Sequence, residues 1–499
     1  MRYALTSEQM RAAETSAGIP LDVLMERAGS ALASEVQRAY PSGRVTVVCG
    51  PGNNGGDGWV AARMLTEAGR DVDLLALRDP DALAGEAHEA AAAASGIVAW
   101  QHVADIATLE RALEDSSVVV DAVFGIGLHG RLREPYDAII DAIVSSGVPV
   151  VSADVPSGVD SDTGAAVGPA VRASVTVTFS ALKPGLLMEP SRSLAGRVVV
   201  AEIGVSIDPA HAVEVPGRCD LRGLMPWPGP GDHKGSRGTV AIVAGSAAYP
   251  GAAVLAAAGA LRMGAGYVRV VTPSPAAGVV RTAWPNAIVR PVSADGDGAV
   301  ASAEEVLEAV SGADAVVAGP GLTTDGGSAA VVRALVAATE GPLLLDADAL
   351  NVLAGDADVL RRRVAPTVIT PHPGEVARLL GSDASAVNRD RLQAASSLSG
   401  DALVCLLKGP GTLIAGAGRS AVVGAGGPGL ARAGTGDVLA GMVGTLLGQG
   451  VEAFHAAMLG AYIHGRAGVC GAEDLTETCL TASDLPGYIP LAVRELLGG

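Results

Sequence analysis

Short β-branched apolar runs alternate along the chain with longer stretches rich in alanine and leucine at helical spacing. That alternation is the mark of strand–helix–strand units. In the first half it predicts strands over 45–49, 72–77, 118–124, 148–153 and 175–179, with helices such as 57–68 between them. In the second half it predicts strands over 239–244, 267–271, 315–318, 343–346, 367–370 and 403–407. Strands this uniformly apolar belong to parallel sheets covered on both faces. The rhythm lapses over 206–232, where Pro209, Pro216, Pro226, Pro228 and Pro230 collect. The expectation is two different α/β domains, 1–215 and 228–499, joined by a linker over 216–227.

Composition narrows the function. A chain of 499 residues is long enough for at least two cores. Its formal net charge of -18 opposes a basic track for nucleic acid or an anionic membrane, which leaves small molecules as the expected partners. The apolar stretch 251–261 falls short of the ~20 residues that span a bilayer, and the opening residues lack an apolar signal core. The five cysteines include no CxxC pair, which fits free thiols. A cytoplasmic protein is expected. Lysine occurs only as Lys183, Lys234 and Lys408, each beside Gly or Pro.

Gly50-Pro51-Gly52-Asn53-Asn54-Gly55-Gly56-Asp57-Gly58 lies between a predicted strand and a predicted helix. Glycines let a backbone approach an anion, and a helix start offers unpaired amides to it. The alternative is a tight turn with Asp57 as helix cap. Asp121 interrupts one apolar strand and Asp154 ends another before Pro156-Ser157-Gly158. Loops leaving neighbouring strand ends share one crevice, so Asn54, Asp121, Asp154 and Ser157 can meet there. Such oxygens suit a hard cation and a proton-transferring carboxylate, or they merely cap strands and pair with arginines.

These blocks, with Asp121 to Leu128, Asp154 to Asp160, Thr178 to Gly185 and Leu24 to Gly29, resemble the NAD(P)H-hydrate epimerase domain over roughly residues 5 to 210. The resemblance implies a Rossmann-like doubly wound parallel sheet. It implies potassium held by Asn54, Asp121 and Ser157. Substrate contacts would come from Asn53, Asn54, Gly55, Gly56, Asp57, Gly125, Ile126, Gly127, Leu128, His129, Gly130 and Arg131, with Asp154 near the reacting carbon.

Later in the chain, Gly426 to Asp437 runs from glycines into an apolar helix. Amides there make an anion hole, and a carboxylate can take a proton from an attacking hydroxyl. An ordinary helix N-cap is the bland alternative. Lys408-Gly409-Pro410-Gly411-Thr412 offers a cation and amides after a strand. With His233 to Gly238, Gly264 to Tyr267, Gly319 to Leu322, Leu345 to Asn351 and Thr370 to Glu375, these segments resemble the NAD(P)H-hydrate dehydratase domain of the ribokinase-like superfamily, over nearly all of 228 to 495.

That resemblance implies a ribokinase-like α/β domain in which Lys408, Gly409, Pro410, Gly411, Thr412, Gly434, Thr435 and Gly436 bind ADP with magnesium. Ala265, Gly321, His372 and Asp437 would contact the hydrated nucleotide, with Asp437 as base. The expected activity is repair of NADHX and NADPHX, of the ADP-dependent bacterial type, by a homo-oligomer. A ribokinase-like vitamin kinase with a fused binding domain is the principal rival, and a non-enzymatic regulator the second. His455 and His464 lack metal-ligand spacing and are expected to be structural.

Overall fold

Valine-rich runs become buried parallel strands because helices cover both of their faces. Val45–Cys49, Val118–Ala122, Val150–Ala153 and Val175–Phe179 are buried throughout. Across the first sheet the order is Trp100–His102, Val72–Ala76, Val45–Cys49, Val118–Ala122, Val150–Ala153, Val175–Phe179 and Arg197–Ala201, all parallel. The chain winds outward from Val45–Cys49 and then returns to its other side at Val118–Ala122. The loops leaving these two strands therefore diverge, and a crevice opens between them. The computed structural model describes residues 1–498 and divides into two compact units, Arg2–Glu214 and the chain from Val215 onward.

The helix expected from residue 57 begins earlier, spanning Asn53–Glu67 with Gly52 as its extended cap. Glycine costs a helix interior about 1 kcal/mol relative to alanine, so packing must override propensity here. A Cβ on Gly55 would lie 2.0 Å from the Gly50 carbonyl, and one on Gly58 2.7 Å from Ala122 Cβ. These glycines let the helix lie directly on the strands. Asp57 is consequently a buried residue inside the helix rather than its cap.

The second unit carries nine strands in the order Arg419–Val423, Thr412–Gly416, Leu403–Leu407, Thr367–Ile369, Leu343–Leu345, Ala315–Ala318, Thr239–Val243, Tyr267–Pro273 and Ile288–Val292. Seven are parallel, and the hairpin at Arg419–Val423 and Thr412–Gly416 runs antiparallel. Helix Thr435–Gly448 packs on helix Pro250–Arg262 with their backbones in contact. A Cβ on Gly441 would stand 1.9 Å from the Ala256 carbonyl, and one on Gly259 2.2 Å from the Val438 carbonyl.

Residues 216–227, expected as a linker, are packed into this second unit. Helix Arg218–Arg222 buries Leu221 completely in the core, and Arg237 Nη1 donates to the Pro226 carbonyl at 2.7 Å. The apolar side chains among the prolines are what draw the segment in. No helix among the described residues is long and apolar enough to cross a membrane.

Replacing Gly441 by alanine sets helix propensity, which favours alanine by about 1 kcal/mol, against an overpacked backbone contact. The contact at 1.9 Å decides the sign. Gly441→Ala is expected to destabilise the second unit by about 1–3 kcal/mol in urea unfolding; an unchanged or raised midpoint contradicts this packing.

Candidate active sites

In the first unit, a cleft of about 620 Å³ opens at the crevice between the two central strands, with Asn53, Asn54, Asp57, Gly125, Ile126, Gly127, Leu128 and Asp154 on its walls. Gly55 and Gly56 lie beneath it in the helix. His129, Gly130 and Arg131 are outside the lining, and His129 Nδ1 stands 3.6 Å from Asp160 instead. Their exposure on the loop beyond Leu128 removes them from the cleft walls.

Asp121 is fully buried below this cleft. Its Oδ1 accepts from Ser157 Oγ at 2.6 Å and the Val123 amide at 3.3 Å, and its Oδ2 from Ser152 Oγ at 2.8 Å and the Ser157 amide at 2.9 Å. Burial raises its pKa while these hydrogen bonds oppose the rise. Ser157 Oγ in turn accepts from the Phe124 amide at 2.9 Å. A Cβ on Gly125 would meet Asn54 Oδ1 at 2.8 Å. Asn54, Asp121 and Ser157 thus gather around residues 123–125. Asn54 Nδ2 is buried without a partner, and turning that amide over places an unpartnered oxygen there instead. A buried carboxylate beside a free amide oxygen is a donor set that fits a hard monovalent cation.

Asp154 is held with φ 64 after its strand. Its Oδ1 accepts from Lys183 Nζ and from Thr178 Oγ1, the latter at 3.1 Å. Lys183, 1% exposed, also donates to Thr178 Oγ1 and the Phe179 carbonyl, both at 3.0 Å. Burial raises the carboxyl pKa of Glu14, and that of Asp57 well above its usual range; Asp154 adds to both shifts and Lys183 opposes them. The cleft therefore gathers Glu14, Asp57 and Asp154 around one buried lysine, with Glu14 and Asp57 pushed toward the protonated form, a carboxyl cluster of the kind that serves proton transfer to and from a substrate oxygen. Glu14 and Arg11, which line the cleft, and the buried Lys183 were not among the expected site residues. The scarcity of lysine and its place in the Thr178 to Gly185 block are the signals that point at Lys183.

In the second unit, the carboxyl ends of the strands carry the chemistry. Lys408, after Leu403–Leu407, donates to Asp346 Oδ1 at 2.7 Å and stands 3.8 Å from Glu375. Helix Thr435–Gly448 points its first turn at this pair, with Gly434 at φ 93 as cap and Asp437 in that turn. A Cβ on Gly436 would be 3.4 Å from Lys408 Nζ and 3.7 Å from Asp346 Oδ2. Burial first and Asp346 second raise the Asp437 carboxyl to about 7, with Lys408 opposing. His464 supports this turn from below, its buried Nε2–H donating to the Thr435 carbonyl at 2.9 Å, and burial lowers its pKa to about 4.

His372 caps helix Pro373–Leu380, its Nδ1 accepting from the Gly374 and Glu375 amides at 3.0 and 3.3 Å. Its proton therefore sits on Nε2, and burial and Lys408 lower its pKa. Gly321, at φ 65, follows Ala315–Ala318; a Cβ there would meet Ala252 Cβ at 2.8 Å and Tyr249 Cβ at 3.0 Å.

Ala265 stands elsewhere. It precedes Tyr267, which pairs with Thr239 at the amino edge of the sheet, and Gln449 Nε2, beyond the far end of the Asp437 helix, donates to the adjacent Gly264 carbonyl at 2.9 Å. That is a helix length of about 20 Å from Asp437. The Gly-Ala-Gly segment reverses the chain between helix and strand, and Ala252 is the alanine beside Gly321.

A glycine-capped helix carrying Asp437 and aimed at a lysine paired with two carboxylates gives the second α/β unit an anion-facing corner, carried in one chain with a doubly wound parallel first unit. Family profiles agree: one described as NAD(P)H-hydrate dehydratase matches residues 240–490, and one described as YjeF-related protein N-terminus matches 21–185. The bifunctional NAD(P)H-hydrate repair enzyme Nnr of Moorella thermoacetica is 36% identical, the match covering 99% of this chain and 97% of that protein. The Nnr of Escherichia coli is 37% identical over 94% and 88%. An ADP/ATP-dependent NAD(P)H-hydrate dehydratase from Bacillus subtilis, co-crystallised with ATP/Mg2+, is 28% identical over 57% of this chain and 99% of its own, with a TM-score of 0.49. The chain belongs to the bifunctional NAD(P)H-hydrate repair enzyme family.

Removing one member of a buried ion pair strands the other, at a cost of about 3–5 kcal/mol. Lys183→Met is expected to destabilise the first unit by that order in urea unfolding, and adding Asp154→Asn should restore part of the loss. An unchanged midpoint for the single variant contradicts the buried pairing.

Proposed function

We propose that this chain interconverts the R and S forms of NADHX and NADPHX in its first unit. In its second it dehydrates the S form to NADH or NADPH, converting ADP to AMP and phosphate. The observation that carries the reading is Asp437, a carboxylate with a pKa near 7 in the first turn of a glycine-capped helix beside Lys408.

The C6 hydroxyl of the hydrated ring is a poor leaving group until it is phosphorylated. Asp437 takes its proton, the Gly434 to Gly436 amides hold the transferring phosphoryl, and Lys408 offsets its charge. Gly321, His372 and Ala252, the last in place of Ala265, border the hydrated nucleotide. Residues 408 to 412 face the ADP phosphates. Magnesium supplies charge neutralisation there when bound, and Asp346 Oδ2, which is outside the Lys408 hydrogen bond, is the oxygen suited to hold it. In-line transfer fixes the direction of the hydroxyl, so only one epimer fits.

The other epimer is the task of the first unit, by reversible loss and return of the C6 oxygen. Asp154 stands near the reacting carbon, with Asp57 and the 125–128 loop around the ring. Potassium, held by Asn54, Asp121 and Ser157, orders these loops when bound. A ligand-binding domain fused to a vitamin kinase would need neither this carboxyl cluster nor full-length likeness to repair enzymes.

Asp437→Ala is expected to lower dehydration by roughly 100- to 10,000-fold while epimer exchange continues, because the two sites sit on separate sheets. In wild type, kcat/KM for dehydration should fall as pH drops through about 7, since Asp437 must be ionised to act. ADP should outperform ATP as donor. Near-normal NADH recovery by the variant sinks the assignment.

Asn54→Ala or Asp121→Ala is expected to slow epimerisation and abolish its response to potassium. Equal wild-type rates in potassium and in a bulky organic cation would contradict the site.

A further inference from the structure

Arg391 opens helix Arg391–Ser397 and is only 6% exposed, yet it lies against no carboxylate. Its guanidinium meets backbone carbonyls alone. Nη1 donates to Pro410 O at 2.5 Å, and Nη2 to Lys408 O at 3.3 Å and Leu407 O at 3.5 Å. Nε is buried without a partner. Burial, opposed by no neighbouring charge, lowers its pKa to about 10, so it is cationic at neutral pH. The contact is close enough to exclude a side chain at Gly409, where φ is 143 and a Cβ would lie 2.8 Å from Nη2.

The peptide plane converts this contact into a function. In a trans peptide the carbonyl and the following amide point in opposite directions. Drawing the Lys408 and Pro410 carbonyls onto Arg391 turns the Gly409 and Gly411 amides away from it. Neither amide makes a hydrogen bond within the described residues. Gly409 and Gly411 flank Pro410, which has no N–H, so the loop presents two unpaired amides on the side opposite Arg391; free amides attract an anion, and the uncompensated guanidinium beneath adds positive potential. Lys408 cannot supply that potential alone, because Asp346 and Glu375 already pair with it.

We propose that Arg391 is the positioning residue of the nucleotide loop: it aims the Gly409 and Gly411 amides at the phosphates of the adenine nucleotide without touching the nucleotide itself. The inference rests on the proposed dehydratase reading, in which residues 408 to 412 face ADP.

The test uses the full chain with Arg391→Lys, which keeps the charge but loses the fork, and Arg391→Met, which loses both. Calorimetry gives the ADP–magnesium affinity, and initial rates give KM for ADP and for (S)-NADHX separately. Arg391→Lys should weaken ADP binding five- to tenfold and Arg391→Met further, with KM for (S)-NADHX within twofold of wild type. If Arg391→Met fails to fold, Arg391→Lys decides. ADP affinity less than threefold weaker in folded Arg391→Lys overturns the inference, as does an equal loss toward both substrates, which marks a general structural role. Wild-type protein that binds no adenine nucleotide overturns both this inference and the dehydratase reading; wild type that binds while the variants match it overturns the inference alone.

Discussion

The backbone contact between helices Pro250–Arg262 and Thr435–Gly448 fixes where the chemistry of the second unit can stand. Gly259 and Gly441 bring the two helices closer than side chains allow, and the helix start is carried with them. That start places Asp437 beside Lys408 and Asp346, in an environment dry enough to lift its carboxyl to about 7. A helix standing one side chain further out would leave Asp437 wetter and more acidic, a poorer base at neutral pH. Glycine's cost in helix stability is therefore offset by packing, and the consequence appears in proton chemistry.

The first unit solves a related problem with other residues. Again a glycine-bearing helix, Asn53–Glu67, lies directly on its strands, and again buried carboxylates outnumber the cations among them. Lys183 answers Asp154, while Asp57 and Glu14 are pushed toward protonation by burial and by Asp154. Asp121 is held by four hydrogen bonds and no cationic side chain. Both sites lie at the carboxyl ends of parallel strands, where side chains from distant parts of the sequence meet.

Much of this was legible in the sequence because buried parallel strands are apolar at every position; 45–49, 175–179, 315–318 and 403–407 carry that signal and were located to the residue. Edge strands do not. Trp100–His102 exposes Gln101 and His102, and Arg197–Ala201 is only half-buried, so neither shows a continuous apolar run. The helix start at Asn53 was missed because glycine propensity argues against a helix that only tertiary packing reveals. Ala265 was misplaced because a Gly-Ala-Gly turn looks alike at either end of a sheet. Lys183 stood out only as a scarce lysine inside the Thr178 to Gly185 block, its pairing with Asp154 being 29 residues away, whereas Arg391 acts through backbone carbonyls and local pattern carries no trace of it.

The central claim is that one chain performs two coupled steps, each at its own site. The most direct measurement incubates the full chain with a mixture of R and S NADHX, ADP and magnesium, following the absorbance of the reduced ring. The account predicts that the whole hydrated pool returns to NADH. Recovery that stops at the fraction initially present as the S form would contradict it, as would a phosphorylated product that accumulates without restoring the ring.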